Sequence, residues 1–306
     1  MVRRRWRQTL DSLVKDTRLD GQGYLFEVAV LLADLVGDSV PVSRSSYLAW
    51  LVERCRRLVG AGRERAAVFR LVNGMLWALD DAPTPEMMRT LALGYLHGLG
   101  ARRAEMLEKL ASAASHDLSR YRRIMTYGRD TALLQALIVA AARRESPEVV
   151  LSEGRPRLEG LTMASELAWG GVEVTLGVDM ALFGWLADVQ ALFLGAESLS
   201  VRGLLYRRGT AALVEAAQVR EVPVYVICGR DDFTPAEYPI AGEALSGPFE
   251  EITPDAHERI TVRNIAWDLT PLESITAAIT AEGMLAGDAL EQALGAVRAH
   301  PALVGR

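Results

Sequence analysis

Two arginines stand where short apolar runs of the chain end, and they are its clearest chemical signal. Arg129 follows Gly128 at the end of one run, and Arg155 follows Gly154 at the end of the next. A guanidinium group is a planar fork that fits phosphate oxygens, and a glycine lets the backbone approach an anion closely. These residues are therefore candidates for binding a phosphate or a similar anion.

Other common chemistries have little support. The chain lacks the glycine-rich G-x-G-x-x-G and G-x-x-x-x-G-K-[ST] motifs and the G-x-S-x-G motif of serine hydrolases. Cys55 and Cys228 stand singly, which indicates neither a disulfide framework nor a zinc site. We therefore expect no cofactor and no bound metal. The histidines are scattered without metal-ligand spacing: His97, His116, His257 and His300.

Composition limits the kinds of partner. The chain has 306 residues, half of them hydrophobic and 24% charged, which is typical of a soluble globular protein. The net charge of -5 argues against a protein that mainly neutralises nucleic-acid phosphates, so a nucleic-acid partner is not expected. The basic run RRRWR at residues 3–7 is interpreted as a solvated helix start, with a contact to RNA or to an acidic partner as the alternative.

Neither a membrane span nor a secretion signal is predicted. The longest apolar stretch, residues 132–142, is interrupted by Gln135 and falls short of the roughly 20 residues that a membrane helix needs. Residues 3–7 resemble the basic start of a signal peptide, but Asp11 and Asp16 follow where an apolar segment should be. We therefore expect a cytoplasmic protein.

Hydrophobic periodicity divides the chain into two parts. Apolar residues recur three and four positions apart from Trp6 to about Ser115, which predicts an all-helical N-terminal domain over residues 1–115. Short apolar runs then alternate with helical segments, which predicts an α/β domain with a mostly parallel sheet over residues 116–306. Ligands bind beyond the carboxyl ends of such strands. The five predicted strands end at Gly128, Ser152, Asp179, Gly195 and Cys228-Gly229.

Several segments of the second part resemble one family in the same order. Residues 152–160, SEGRPRLEG, resemble the E-S-R-P-x-x-x-G segment of the regulatory subunits of eukaryotic initiation factor two B, methylthioribose-1-phosphate isomerase and ribose-1,5-bisphosphate isomerase. The other similar segments are residues 124–128, 171–175, 194–197, 209–210, 262–271 and 275–283. The resemblance implies a helical N-terminal domain, a Rossmann-like domain and pairing with a second copy through the α/β domain.

The resemblance also implies an altered active site. In the isomerase branches, a cysteine and an aspartate move a proton between C1 and C2 of an open-chain sugar phosphate, and Gly128 and Glu197 stand at those positions here. Glycine has no ionisable group, and a positioned acid or base contributes roughly 100- to 10,000-fold in rate. The preferred hypothesis is therefore a catalytically degenerate, dimeric binding or regulatory module for a phosphorylated sugar or nucleotide.

The predicted site combines the residue pattern with the resemblance. Arg155, Arg129 and Gly128 lie at strand ends, Gly160 closes the segment that begins at Ser152, and Arg207 replaces a lysine of the family pattern. Arg63 or Arg65 takes the place of an arginine in the family's N-terminal domain.

Two alternatives stay open. One is an active aldose-ketose isomerase that uses Glu197 alone, with Cys228 or with an ordered water. The other is a translation-factor subunit that works through protein contacts alone.

Overall fold

The computed structural model describes residues 6, 8–10, 12, 21–40, 42–61, 66–238 and 247–304. The arginines of the basic run and both Arg63 and Arg65 lie outside the described residues. The chain divides into two compact units. The first comprises Met1–Glu105, Glu237–Ile240 and Arg298–Arg306, and the second comprises Met106–Ala236 and Ala241–Val297.

The first unit is built from helices, as the periodicity predicts. Their buried faces share one core that includes Val28, Leu51 and Met75. The Thr84 side chain caps a helix by accepting from the Met87 amide, because the first amides of a helix have no partner within it. The helices are α1 (Gly21–Gly37), α2 (Arg44–Ala61), α3 (Ala66–Leu79), α4 (Pro85–His97) and the start of α5 (Leu99–Leu118).

The end of the chain belongs to the first unit rather than to the α/β unit. The Asn73 side chain accepts from the His300 amide at 2.6 Å and donates to the Arg298 carbonyl at 3.1 Å. The ring of His300 contacts Asp80 at 3.0 Å. The predicted domains 1–115 and 116–306 therefore have other boundaries than these units. Residues 106–115 of α5 belong to the second unit, and residues 298–306 belong to the first.

A seven-stranded sheet forms the centre of the second unit. Its strand order is β10-β9-β7-β4-β1-β2-β3, and each neighbouring pair is parallel except β9 with β10. All five strands predicted from the apolar runs are present, and the predicted fold class is confirmed. The strands are β1 (Arg123–Met125), β2 (Glu148–Ser152), β3 (Val174–Gly177), β4 (Ala191–Leu194), β7 (Val224–Ile227), β9 (Ala277–Thr280) and β10 (Gly283–Leu285).

Helices follow several of these strands. They are α6 (Thr131–Ala142), α7 (Glu159–Trp169), α8 (Ala181–Trp185), α9 (Thr210–Val219) and α10 (Gly287–Gly295), and α11 (Pro301–Val304) belongs to the first unit. The longest apolar stretch forms α6, which packs Leu133 and Leu137 into the core. Among the described residues, no helix is both long and apolar enough to cross a membrane.

A small antiparallel sheet was not predicted from the residue pattern. Its order is β5 (Ser198–Ser200), β6 (Gly203–Arg207) and β8 (Trp267–Thr270). These strands are short, and β6 pairs with a strand about 60 residues away, as in Leu205 with Leu269. Such pairing depends on tertiary contact rather than on local sequence. This sheet carries Arg207 to the edge of the main sheet.

Candidate functional site

A small cleft of about 40 Å³ lies beyond the carboxyl ends of β1 and β2 in the second unit. Three residues predicted from the sequence line it: Gly128, Arg155 and Arg207. The other lining residues are Tyr127, Gly154, Pro156, Arg157, Glu159, Arg208, Glu251, Asn264, Ile265 and Ala266. The predicted position of the site at strand ends therefore coincides with a real concavity.

The turn after β2 is wrapped around a carboxylate of the chain itself. Gly154 has a φ of 74°, a left-handed conformation that favours glycine. The amides of Gly154 and Arg155 donate to the two carboxylate oxygens of Asp179, each at 2.9 Å. The anion that this backbone approaches is therefore Asp179, which fixes the turn from the end of β3.

The side chain of Arg155 has few contacts within the described part of the chain. The residue is exposed, and among the described residues its guanidinium makes one hydrogen bond, to the Ile252 carbonyl at 3.3 Å. No carboxylate of the described residues pairs with it, although it lines the cleft. Because Asp179 holds the Arg155 backbone, the guanidinium projects from a fixed turn.

Gly160 has a packing role at the start of α7. A Cβ at this position would lie 1.7 Å from the Ser152 carbonyl oxygen, so only glycine lets the helix approach β2 this closely. Its amide donates to the Glu153 carbonyl at 3.0 Å. Gly160 does not line the cleft, and the amide that a ligand would use is already bonded.

The turn after β1 is tight around its glycine. Gly128 has a φ of 75°. A Cβ there would lie 3.0 Å from Cγ of Arg207 and 3.5 Å from the Tyr206 hydroxyl. A side chain at position 128 would therefore press against Arg207, which would have to move by a few tenths of an ångström.

The remaining arginines of the cleft are held by carboxylates. Arg207 pairs with Glu159 at 2.7 Å, and its guanidinium carbon lies 4.5 Å from the centre of the Trp267 ring. The other pairs are Arg157 with Glu251 at 3.0 Å and Arg208 with Asp268 at 2.8 Å.

Several residues that line the cleft were not predicted from the sequence. Arg157 and Glu159 lie in the same segment as Arg155, so position in that segment was a usable signal for them. Glu251 comes from a distant segment with no motif, and only the tertiary structure brings it to the cleft.

Two predicted residues lie elsewhere. Arg129 makes a bidentate ion pair with Glu166, at 2.7 and 2.9 Å, and does not line the cleft. Glu197 lies half-buried between β4 and β5, where its amide donates to the Leu205 carbonyl at 3.0 Å, and it too is outside the lining.

Asp130 is a further acid near the turn after β1, and it was not predicted from the sequence. Its carboxylate caps α6 by accepting from the Leu133 amide at 2.9 Å. Burial of the carboxyl group, together with the nearby charge of Asp232, raises its pKa to about 6. The group presses against Gly195, where a Cβ would lie 2.3 Å from its carboxylate.

The cleft offers no free proton acceptor among the described lining residues. Glu159 and Glu251 are both in ion pairs. The Tyr127 hydroxyl donates to the Arg208 carbonyl at 2.7 Å, and burial raises its pKa to about 12. In the described part of the chain, no three acidic, histidine or cysteine side chains are arranged to hold a metal ion. The arrangement is suited to binding an anion.

Comparison with known proteins gives consistent matches. The model of the initiation factor 2 subunit family matches residues 65–287. A ribose 1,5-bisphosphate isomerase of Archaeoglobus fulgidus is 30% identical over 168 residues, which cover 53% of each chain. A probable bifunctional methylthioribose-1-phosphate isomerase/methylthioribulose-1-phosphate dehydratase of Nocardia farcinica is 28% identical over 291 residues, covering 90% of this chain and 50% of the relative. The chain therefore spans about half the length of these relatives.

A solved structure shares the fold across nearly the whole chain. The tetrameric eIF2B-beta2-delta2 complex of Chaetomium thermophilum contains a chain that superposes with a TM-score of 0.74 at 18% identity. The superposition covers 96% of this chain and 93% of the other. At this identity the likeness concerns the fold.

Proposed function

Because the chain belongs to the initiation factor 2 subunit family, we propose that it is a catalytically degenerate binding or regulatory member. Its ligand is a phosphorylated sugar or nucleotide, held in the cleft beyond β1 and β2. The observation that carries the proposal is the turn at Gly128, the position where the resemblance places the isomerases' cysteine.

The geometry at Gly128 supports loss of proton transfer. The glycine has no ionisable group, its φ of 75° is costly for any other residue, and Arg207 lies 3.0 Å from where a Cβ would be. The acids that line the cleft are engaged in ion pairs. An acid or base missing from this place lowers a rate by roughly 100- to 10,000-fold.

The Arg155 side chain supports retained binding. Arg155 lines the cleft, and its backbone amide is bonded to Asp179. Its guanidinium pairs with no carboxylate of the described residues. Charge-assisted hydrogen bonds from a fixed guanidinium to phosphate oxygens are among the stronger polar contacts in proteins.

The test measures binding and turnover on the same preparation. The protein is incubated with methylthioribose-1-phosphate and with ribose-1,5-bisphosphate, and ketose formation is followed by NMR. Thermal-shift titration with phosphorylated sugars and nucleotides measures binding. The proposal expects a ligand-dependent rise in Tm without ketose, and turnover on the order of 1 per second would overturn it.

An active aldose-ketose isomerase is the second candidate. It is favoured by the carboxylate of Glu197, which follows the carboxyl end of β4. If this candidate is right, Glu197→Gln abolishes turnover and leaves ligand affinity nearly unchanged, because the amide keeps the shape and removes the base. Equal losses of binding and turnover would make Glu197 a positioning residue instead.

We further propose that the protein forms a homodimer through its α/β unit. The resemblance and a structural neighbour solved as a tetramer support this assembly. An obligate pair is expected to bury more than about 2,000 Å². Light scattering at micromolar concentration tests it, and a particle of one chain's mass that does not change on adding ligand would contradict the dimer.

A further inference from the structure

The charges around the cleft are balanced before any ligand binds. Four arginines line it: Arg155, Arg157, Arg207 and Arg208. Three of them pair with Glu251, Glu159 and Asp268. The fourth carboxylate, Asp179, binds the backbone of the turn that carries Arg155 and makes no ion pair with its guanidinium.

One guanidinium is therefore available to a ligand among the described lining residues. Arg155 has only the weak bond to the Ile252 carbonyl to give up. Arg157, Arg207 and Arg208 each already pair with a carboxylate, so a phosphate that binds any of them lies beside that carboxylate's negative charge. Only the first phosphate of a ligand finds a cation without this cost.

We propose that the cleft selects a ligand with one phosphate group over the matching ligand with two. This inference rests on the proposed function and names the ligand class within it, a sugar monophosphate or a nucleoside monophosphate. The single phosphate binds Arg155 at the turn after β2, and the uncharged part of the ligand lies toward Gly128.

The lining at the Gly128 end favours an uncharged group. Arg207 is fixed there from two sides, by Glu159 at 2.7 Å and by the Trp267 ring at 4.5 Å. A second phosphate at this end would lie beside the carboxylate of Glu159, and like charges brought close together cost binding free energy.

Paired titrations test the preference. Binding of ribose 5-phosphate and ribose 1,5-bisphosphate, and of AMP and ADP, is measured by isothermal titration calorimetry at one ionic strength. The monophosphate of the pair that binds is expected to have a Kd at least about tenfold lower, which corresponds to about 1.4 kcal/mol. A Kd for the two-phosphate ligand equal to or below that of its monophosphate would overturn the preference and leave the proposed function standing. No saturable binding of any of the four compounds would refute the proposed function, and the preference with it.

A single substitution should weaken the selection. Glu159→Gln releases Arg207, so the two-phosphate ligand should gain at least about fivefold in affinity while the monophosphate gains less than about twofold. Glu166→Gln is the matched control, because it releases Arg129, which does not line the cleft. Circular dichroism checks that both variants fold. Equal gains for both ligands in Glu159→Gln, or the same gain in the control, would contradict the inference.

Discussion

Two Gly-Arg turns with similar φ angles at their glycines give their arginines different partners. Gly128-Arg129 follows β1 and Gly154-Arg155 follows the neighbouring β2, with φ values of 75° and 74° at the glycines. Arg129 is bound by Glu166 in a bidentate pair, whereas Arg155 points into the cleft without a carboxylate among the described residues.

The difference teaches that a local pattern fixes a turn but not its use. Both turns place an arginine at the carboxyl edge of a parallel sheet, where ligands bind. The neighbouring elements decide the outcome, since α7 supplies Glu166 to the first arginine and β3 leads to Asp179, which holds only the backbone of the second.

The largest expected effect is on the packing beside the second turn. Gly160→Ala places a methyl group 1.7 Å from the Ser152 carbonyl oxygen, so α7 must move away from β2. We expect a loss of about 3 kcal/mol or more in the free energy of unfolding, measured by urea denaturation. Gly184→Ala is the control, because Gly184 has open space around it and alanine favours a helix. Equal stability of the two variants would show that the β2 turn is not tightly packed.

The two arginines should separate in binding and stability. Arg155→Gln is expected to weaken binding of a monophosphate ligand by roughly 10- to 100-fold, with little change in stability. Arg129→Gln should leave affinity unchanged and cost about 1 kcal/mol, because it breaks a partly exposed ion pair with Glu166. Calorimetric titration and urea denaturation of both variants measure the split. If Arg129→Gln weakened binding as much as Arg155→Gln, the two turns would share one function.

The first turn should also show a pH signature through Asp130. Its folded-state pKa of about 6 is raised above the value of an unfolded chain, so the native state binds the extra proton between about pH 4 and pH 6. Stability from this group is therefore present at low pH and is lost as the pH rises through 6. Asp130→Asn keeps the helix-capping oxygen and removes the charge.

The expected result is a difference between the two proteins that depends on pH. Asp130→Asn should be more stable than the parent by about 1–2 kcal/mol at pH 7.5, and the gain should vanish near pH 4. Urea midpoints at pH 4, 6 and 7.5 measure it. A stability difference that stays constant across this range would mean that Asp130 titrates normally.

The smallest expected effect is on catalysis. Gly128→Cys supplies a thiol. The left-handed backbone and the nearby Arg207 side chain keep this thiol from the position that proton transfer needs, so we expect no ketose by NMR. The variant should lose about 1–2 kcal/mol of stability from backbone strain. Gly128→Ala carries the same strain without the thiol and serves as the control. Turnover in the cysteine variant alone would show that a single residue separates binding from catalysis.

Much of the fold followed from periodicity. Residues such as Val28 and Leu32 recur at helical spacing, and residues such as Leu192 and Leu194 lie in a short apolar run bounded by polar residues. These patterns reflect burial, which dominates folding free energy, so α1 to α4 and five parallel strands were predicted. The strands β5, β6 and β8 were not predicted from the residue pattern, and β6 pairs with β8 across a long sequence distance.

The candidate site was predicted only in part. Gly128, Arg155 and Arg207 do line one cleft, whereas Arg129 and Glu197 lie outside its lining. Both kinds of residue stand at or near strand ends, so sequence position alone did not distinguish them. Glu251 was absent from the prediction because it reaches the cleft from a segment far from β2 in the chain.

The sequence by itself determined which residues stand at the strand ends, because buried strands, glycine turns and arginine forks are local properties of the chain. Only the tertiary structure decided which arginines are already paired with a carboxylate. A guanidinium binds a ligand when no carboxylate already holds it, and the partners of Arg129 and Arg207 come from α7, a separate element. Ion pairing is a property of distance in space, and that distance exists only once β1, β2 and α7 have packed together.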